Sequence, residues 1–252
     1  MSELVSGPPP IAVIADIHGN RWALVAVLRE IDRRGIQTII NLGDHLTGPL
    51  DPTGTAELLM AREMVNILGN DDRDLFLAWD EMSQSQRYTH ERLSPAQREW
   101  LRAMPEFAVV ADDVFACHGD LLDAPYLLEQ VDAGGGVSLR ATPAISASVA
   151  RVSQPVIVSG HSHVPRTVAL PDGKLLVNPG SVGLPAYTMD TPVPYAMEAG
   201  SPHARYAILT RTSDGWRVEH VALPYPWDEA AAAARDNGRA DWAAWLASGR
   251  AG

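Results

Sequence analysis

Cysteine is all but missing from this sequence. A lone Cys117 among 252 residues excludes a disulfide framework within the chain. Basic residues are also scarce: Lys plus Arg number 20 against 31 Asp plus Glu, a formal charge of −11 with His neutral. That balance lacks the positive surface that attracts nucleic-acid polymers and anionic membranes, so neither is an expected partner. No apolar run approaches the ~18 residues that a membrane span needs. Met1–Pro10 has no basic stretch followed by an apolar one, so no signal peptide is expected and the expected location is cytoplasmic. No internal repeat and no dividing linker is found. What is there suffices for a full core, with 46% hydrophobic residues. Residues 1–10, with Pro8-Pro9-Pro10, read as a loose tail, and residues 11–252 as one domain.

Ile11–Ala15 is an apolar run bounded by turn residues and predicts a buried strand. Asn20 then opens a helical spacing, Trp22, Leu24, Val25, Val27, Leu28 and Ile31, over 20–34. A strand at 37–42, a helix at 54–63 and a strand at 65–68 follow. This βαβαβ opening argues for parallel strands. Residues 73–105 read as helical, with Ser94-Pro95-Ala96-Gln97 as a capped start. Strands at 107–110 and 114–117 flank Asp112-Asp113. Helices are predicted at 124–133 and 142–152, around Gly134-Gly135-Gly136. Strand 155–159 precedes a hairpin of 167–170 with 174–177 across Pro171-Asp172-Gly173. Residues 184–204 read as a long loop, and 205–210 with 216–222 as another hairpin. Two Ala-rich helices, 227–236 and 239–249, close the chain, with Trp242, Trp245 and Leu246 on a packing face.

Five of these strands end in short turns that pair Gly with acids, amides or imidazoles. The turns are Asp16-Ile17-His18-Gly19, Gly43-Asp44-His45, Gly69-Asn70-Asp71-Asp72, His118-Gly119-Asp120 and Gly160-His161-Ser162-His163. In open α/β sheets that edge is where ligands bind. Imidazole nitrogen mixed with carboxylate oxygen suits Mn, Fe, Co, Ni and Zn. Two such ions roughly 3.5–4 Å apart need a carboxylate between them. A His-x-His turn can aim its two rings at different ions.

Taken in order, the five turns resemble the five signatures of the calcineurin-like metallophosphoesterases, over roughly residues 11–222. Gly48-Pro49 and Asn178-Pro179-Gly180-Ser181 are similar to the small bacterial and archaeal phosphodiesterase branch. The resemblance implies an α/β fold, the four-layer αββα sandwich of two mixed sheets flanked by helices. It implies Asp16, His18 and His163 at one divalent metal, Asn70, His118 and His161 at a second, and Asp44 bridging. Manganese is the first expectation, with Fe, Ni, Co or Zn as alternatives. The implied reaction is hydrolysis of a small phosphate ester, a diester before a monoester, by a metal-bridging hydroxide. Asp44, Asn70 and His118 would form its catalytic centre, Asn70 also touching substrate. Two ligand carboxylates against two divalent ions leave the pocket net positive.

One position departs from the family. Its third signature is usually Gly-Asn-His followed by an acid, the His assisting the leaving group; Asp71 stands there instead. A carboxyl with a pKa near ~4 is a poor acid at neutral pH unless burial raises it. Thr47 stands where the second signature often has a further Asp. Other positions keep two readings. Arg73 is a phosphate contact or, with Asp72, a helix cap. His45 is a substrate contact, a group that supports the site from behind, or a satisfied polar group. Tyr187, Tyr195, Met189 and Met197 form a lid or a core. Trp242 and Trp245 are packing or the interface of a homo-oligomer, and Cys117 is packing. The alternatives to a phosphodiesterase are a phosphomonoesterase or protein phosphatase, and a non-catalytic metal-binding scaffold of the same fold. The complete set of seven ligands favours an enzyme.

Overall fold

The computed structural model describes residues 9–122 and 125–251; most of the expected tail, residues 1–8, lies outside them. β1 (Ile11–Ile14) leads into α1 (Arg21–Arg33), β2 (Thr38–Asn41) into α2 (Pro52–Met60), and β3 (Val65–Asn66) into the short α3 (Asn70–Asp74). Then come α4 (Gln84–Arg92), α5 (Pro95–Arg102), β4 (Phe107–Val110), β5 (Val114–Cys117), β6 (Glu129–Val131) and β7 (Val137–Leu139). α6 (Thr142–Ser148), β8 (Val156–Val158), β9 (Arg166–Ala169), β10 (Leu175–Asn178), β11 (Ala186–Met189) and β12 (Tyr195–Glu198) follow. The chain closes with β13 (Ala204–Thr212), β14 (Gly215–Leu223), α7 (Trp227–Asp236) and α8 (Ala240–Ser248).

Local chemistry explains these boundaries. The Asn20 side chain accepts from Ala23 N and starts α1, whose buried face is Ala23, Leu24, Val27, Leu28 and Ile31 at helical spacing. Asp51 caps α2 with Pro52 at its first position, two residues before the expected start. Ser94 and Gln97 form the reciprocal cap expected of α5.

The larger strands form two mixed five-stranded sheets, ordered β14-β13-β1-β2-β3 and β4-β5-β8-β10-β9. β1–β2 and β2–β3 are parallel, as are β5–β8 and β8–β10; the outer pairings are antiparallel. Strand alternation sorts side chains into layers. Ile11, Val13, Ile40, Val156, Val158 and Leu209 fill the space between the sheets. Ile14, Ile39, Tyr206 and Ile208 face the layer of α1, α2, α7 and α8. Ile157 and Leu176 face outward with Ile145 of α6. Each fully buried aliphatic side chain contributes about 1.5–3 kcal/mol. This is the expected αββα sandwich. No described helix is long and apolar enough to cross a membrane.

Two expectations fail. The predicted helix over 124–133 is instead, among its described residues, the strand β6, paired antiparallel with β7. Asp132 explains the change: its carboxylate accepts from Gly134 N and Gly136 N, closing a tight turn where a helix would have continued. The predicted loop over 184–204 contains the hairpin β11–β12, in which Tyr187 faces Met197 and Met189 faces Tyr195.

Candidate metal centre

β1, β2, β3, β5 and β8 end at one edge, where the two sheets meet. Asp16 N donates to Gly43 O at 3.0 Å, His18 N to Asp44 O at 2.9 Å, and Gly160 N to His118 O at 2.9 Å. Asp16, His18, Asp44, His161 and His163 all hold left-handed backbone, with φ of 55, 53, 54, 71 and 61°. Ala111 and Asp112 are the other described non-glycine residues that do so. A side chain there costs roughly 1–2 kcal/mol, so the five together store on the order of 5 kcal/mol. Such strain, concentrated on five expected ligands, marks a site whose geometry is imposed by its surroundings. Two glycines make the close approach feasible. A Cβ on Gly43 would lie 2.3 Å from Gly69 N, and one on Gly69 would lie 2.1 Å from Asp44 Oδ1.

The rings are oriented from behind. The Nδ1 atoms of His18, His118 and His163 donate to Thr47 O, Leu42 O and Leu184 O at 2.9, 2.7 and 2.7 Å. Their Nε2 atoms therefore point inward. His18 Nε2 lies 3.2 Å from His163 Nε2, and His163 Nε2 3.7 Å from Asp16 Oδ1. His118 Nε2 lies 2.9 Å from Asn70 Oδ1 and 3.2 Å from Asp44 Oδ2, while Asp44 Oδ2 is 3.9 Å from His18 Nε2. Asp16, His18 and His163 form one group able to hold a cation, and Asp44, His118 and His161 a second. Two imidazole lone pairs aimed at each other repel, and a shared cation reverses the sign of that contact. The donor set thus fits divalent metal.

Electrostatics agree with this reading. Burial pushes Asp16 up to about 8, the His118 charge offsetting only part. Burial also raises Asp44, but His118 and His18 outweigh it and hold that carboxyl well below the usual range. His118 moves the other way: burial lowers it, and Asp44 overcompensates, to about 10. Burial, with the His118 charge behind it, pushes His161 down to about 3. Burial also lowers His18 and His163, keeping them neutral, the form that ligates metal.

All seven expected ligands are brought together, and so is Asp71. Its N–H donates to Asp44 Oδ1 at 2.9 Å, and its Oδ2 lies 3.7 Å from His18 Nδ1. Burial, then the Asp44, Asp72 and Asp74 charges, push its carboxyl well above the usual range. His45 requires a correction as a substrate contact. It has no exposed surface and its Nδ1 lies 2.7 Å from Asp72 Oδ2, behind the site. Arg73 also stands apart from the main cavity. It is half exposed, 3.5 Å from Glu106, and lines a separate recess of about 190 Å³ with Asn70, His118 and His161. Asp72 does more than cap a helix: it accepts from Gly69 N, Asp44 N and His45 N.

The main cavity measures about 940 Å³ and opens onto His18, Asp44, Asn70, Asp71, His161 and His163. Sequence reasoning missed several of its walls. Gln86 of α4 reaches Asp71 and Asp74 at 3.3 and 3.1 Å. Arg239 and Asp241 flank the start of α8 and line the cavity with Trp242 and Trp245. Tyr126 lies 2.7 Å from Tyr195 and 3.0 Å from Tyr187, whose hydroxyl donates to His161 O at 3.1 Å. Tyr187 and Tyr195 are thus both core and cavity wall. No local motif signals Gln86, Tyr126, Arg239 or Asp241.

Comparison with known proteins gives the same picture. The chain is 44% identical to MJ0912, an uncharacterized protein of Methanocaldococcus jannaschii, over 62 residues, and so spans only 26% of that relative's length. A metallophosphoesterase from Sphaerobacter thermophilus shares the fold with a TM-score of 0.73, at 22% identity over 96% of this chain and 99% of that one. The protein PH1004 from Pyrococcus horikoshii does so with a TM-score of 0.73, at 19% identity over 96% and 99%. The calcineurin-like phosphoesterase superfamily domain matches residues 10–198, a span that holds all five strand-end turns, and the chain belongs to that family.

Proposed function

We propose that this phosphoesterase is a two-metal hydrolase of small phosphodiesters. The observation that carries the reading is the convergence of seven donors from turns on both sheets, five of them on left-handed backbone. Asp16, His18 and His163 would hold one ion and Asn70, His118 and His161 the other, with Asp44 between them. Manganese is the first choice by the family resemblance, and the mixed imidazole and carboxylate donors with no thiolate equally suit Fe, Ni, Co or Zn. Such ions supply Lewis acidity and a nucleophile at neutral pH by lowering the pKa of bound water.

The chain's own part is positioning. Thr47, Leu42 and Leu184 carbonyls fix the ring planes, and the Asp71 N–H fixes one Asp44 oxygen while the other faces inward. Asn70 stands beside His118, where its amide can orient a phosphoryl oxygen, and Arg73 can reach the same region from the smaller recess. Asp71 occupies the place from which a leaving group would be protonated. A diester is favoured over a monoester because Asp74 in the cavity wall disfavours a second negative charge on the phosphate.

The test is a panel of phosphomonoesters, phosphodiesters and cyclic nucleotides, each with Mn, Ni, Co, Zn and Mg. Metal-dependent turnover of diesters is expected. Absence of turnover with two bound equivalents of metal would favour the scaffold reading.

A further inference from the structure

The matched family domain ends at residue 198, yet the wall facing the metal centre includes α8, about forty residues further on. α8 is seated firmly against the site. The Trp242 ring meets the His18 ring edge-on at 5.9 Å, and a Cβ on Gly48 would lie 2.9 Å from Trp242. Trp245 lies beside Trp242, the two rings tilted with centroids 6.3 Å apart. Across the opening, Tyr187 and Met189 of β11 complete an apolar wall. The cavity of about 940 Å³ is near the upper end of the ~300–1,000 Å³ usual for ligand pockets. A phosphate with a methyl group would leave most of it unfilled.

The charges outside the metal centre are unbalanced. Asp74 and Asp241 line the cavity against a single guanidinium, Arg239. That guanidinium is already committed: Nε and Nη2 donate to the two Asp241 oxygens at 2.9 and 2.7 Å, and Nη1 to Ser85 Oγ at 2.5 Å. Among the described residues lining the cavity, no other Lys or Arg can receive a second phosphate.

We propose that the α8 wall is the specificity element for the ester's retained group. It accepts an uncharged, flat organic group against the wall that Trp242, Trp245 and Tyr187 line, and it rejects one that carries a further phosphate. This rests on the phosphodiesterase reading and adds the substrate class. Aromatic faces supply stacking area at little entropic cost, and Asp74, which no guanidinium of the wall offsets, supplies the discrimination.

The test uses substrates that share one leaving group. With p-nitrophenol leaving in every case, kcat/KM is compared for methyl p-nitrophenyl phosphate, thymidine 5′-(p-nitrophenyl phosphate) and the same compound bearing a 3′-phosphate. The nucleoside ester should exceed the methyl ester by about tenfold, near 1.4 kcal/mol. The added 3′-phosphate should remove about as much, through KM. Trp245→Leu should collapse the first ratio and Asp241→Ala, which frees Arg239, the second. Each ratio is taken within one enzyme, so partial loss of folded protein cancels. Ratios near one, or faster turnover with the 3′-phosphate, overturn the proposal. If no substrate turns over with any metal, the phosphodiesterase reading fails by itself. Calorimetry then decides the wall: thymidine 5′-phosphate binding tighter than thymidine 3′,5′-bisphosphate upholds it, and equal or reversed affinity overturns it.

Discussion

Replacing Asp72 with Asn tests whether the metal-site turns are held from behind. Asp72 Oδ2 accepts from Asp44 N at 2.8 Å and Gly69 N at 2.9 Å and lies 2.7 Å from His45 Nδ1; Oδ1 accepts from His45 N at 3.0 Å. An amide in the same place turns one acceptor into a donor facing an N–H. One buried donor then goes unsatisfied, costing about 1–3 kcal/mol, and the remaining bonds lose their ionic character at about 1 kcal/mol each. The total is about 4–6 kcal/mol, a large share of the ~5–15 kcal/mol that holds a domain together. At about 2–4 °C per kcal/mol for a chain of this size, Tm should fall by about 10 °C. Metal affinity should fall too, because the same carboxylate ties the Asp44 turn to the turn that carries Asn70. Burial alone would raise the Asp72 carboxyl, but the His45 ring and the Gly69 N–H outweigh it and hold it below the usual range. A lowered folded pKa means stability that is present above the unfolded value, near ~4, and lost as pH falls through the folded value. The gap between wild type and variant should therefore close in acid. Calorimetric melting in chelator at pH 7 and below pH 4, with a metal titration, measures all three. A variant melting within ~2 °C of wild type, with unchanged metal affinity, would refute the reasoning.

Four further outcomes are expected. Elemental analysis after reconstitution should approach two divalent ions per chain, and Asp44→Asn should weaken both sites where His161→Ala weakens one. Manganese at ~100 Kd should stabilise by about 2.7 kcal/mol and raise Tm by several degrees, as scanning calorimetry with and without chelator will read. Because His118 rises to about 10 and Asp16 to about 8 before loading, binding at pH 7 should release protons and affinity should climb with pH, which calorimetry in buffers of different ionisation enthalpy measures. Asp71→Asn should slow alkyl diesters more than nitrophenyl diesters, since general acid catalysis contributes about 10²–10⁴-fold only where the leaving group needs a proton; equal effects on both would place the donor elsewhere.

The ligand turns were legible because each packs its chemistry into a few consecutive residues after an apolar strand. Asp16 and His18, or His161 and His163, carry their meaning locally. The sheet order was legible only in part. β1 to β3 followed from alternating strand and helix patterns, whereas β6 and β12 are too short for a periodic signal and were outvoted by Tyr126-Leu127-Leu128 and by a Pro-rich stretch. Asp132 followed by three glycines was the available clue to the first hairpin. The direction of His45 was not readable: residues adjacent in sequence, Asp44 and His45, point to opposite sides of one turn. Asp72 looked like a cap because its N–H partners from another strand end are set by tertiary contact. The cavity wall of α8 was invisible for the same reason. Trp242 and Trp245 showed a packing face, and nothing in their spacing says that one rim of that face borders a metal site.

The site also sits on a seam. Asp16, His18, Asp44 and Asn70 hang from one sheet, and His118, His161 and His163 from the other. Between the sheets lies a layer of aliphatic side chains, which resists separation but offers little resistance to sliding, because hydrophobic contact has no direction. Coordination bonds do have direction. Ions shared between Asp16 or Asp44 and the histidines of the opposite sheet would act as rivets through the sandwich, opposing shear where apolar packing opposes only peeling. Beside the hydrogen bonds from His118 Nδ1 to Leu42 O and from His161 N to Asp16, one fastening between the two halves would then be the same one that handles the phosphate, so mechanical stiffness and catalytic competence would change together.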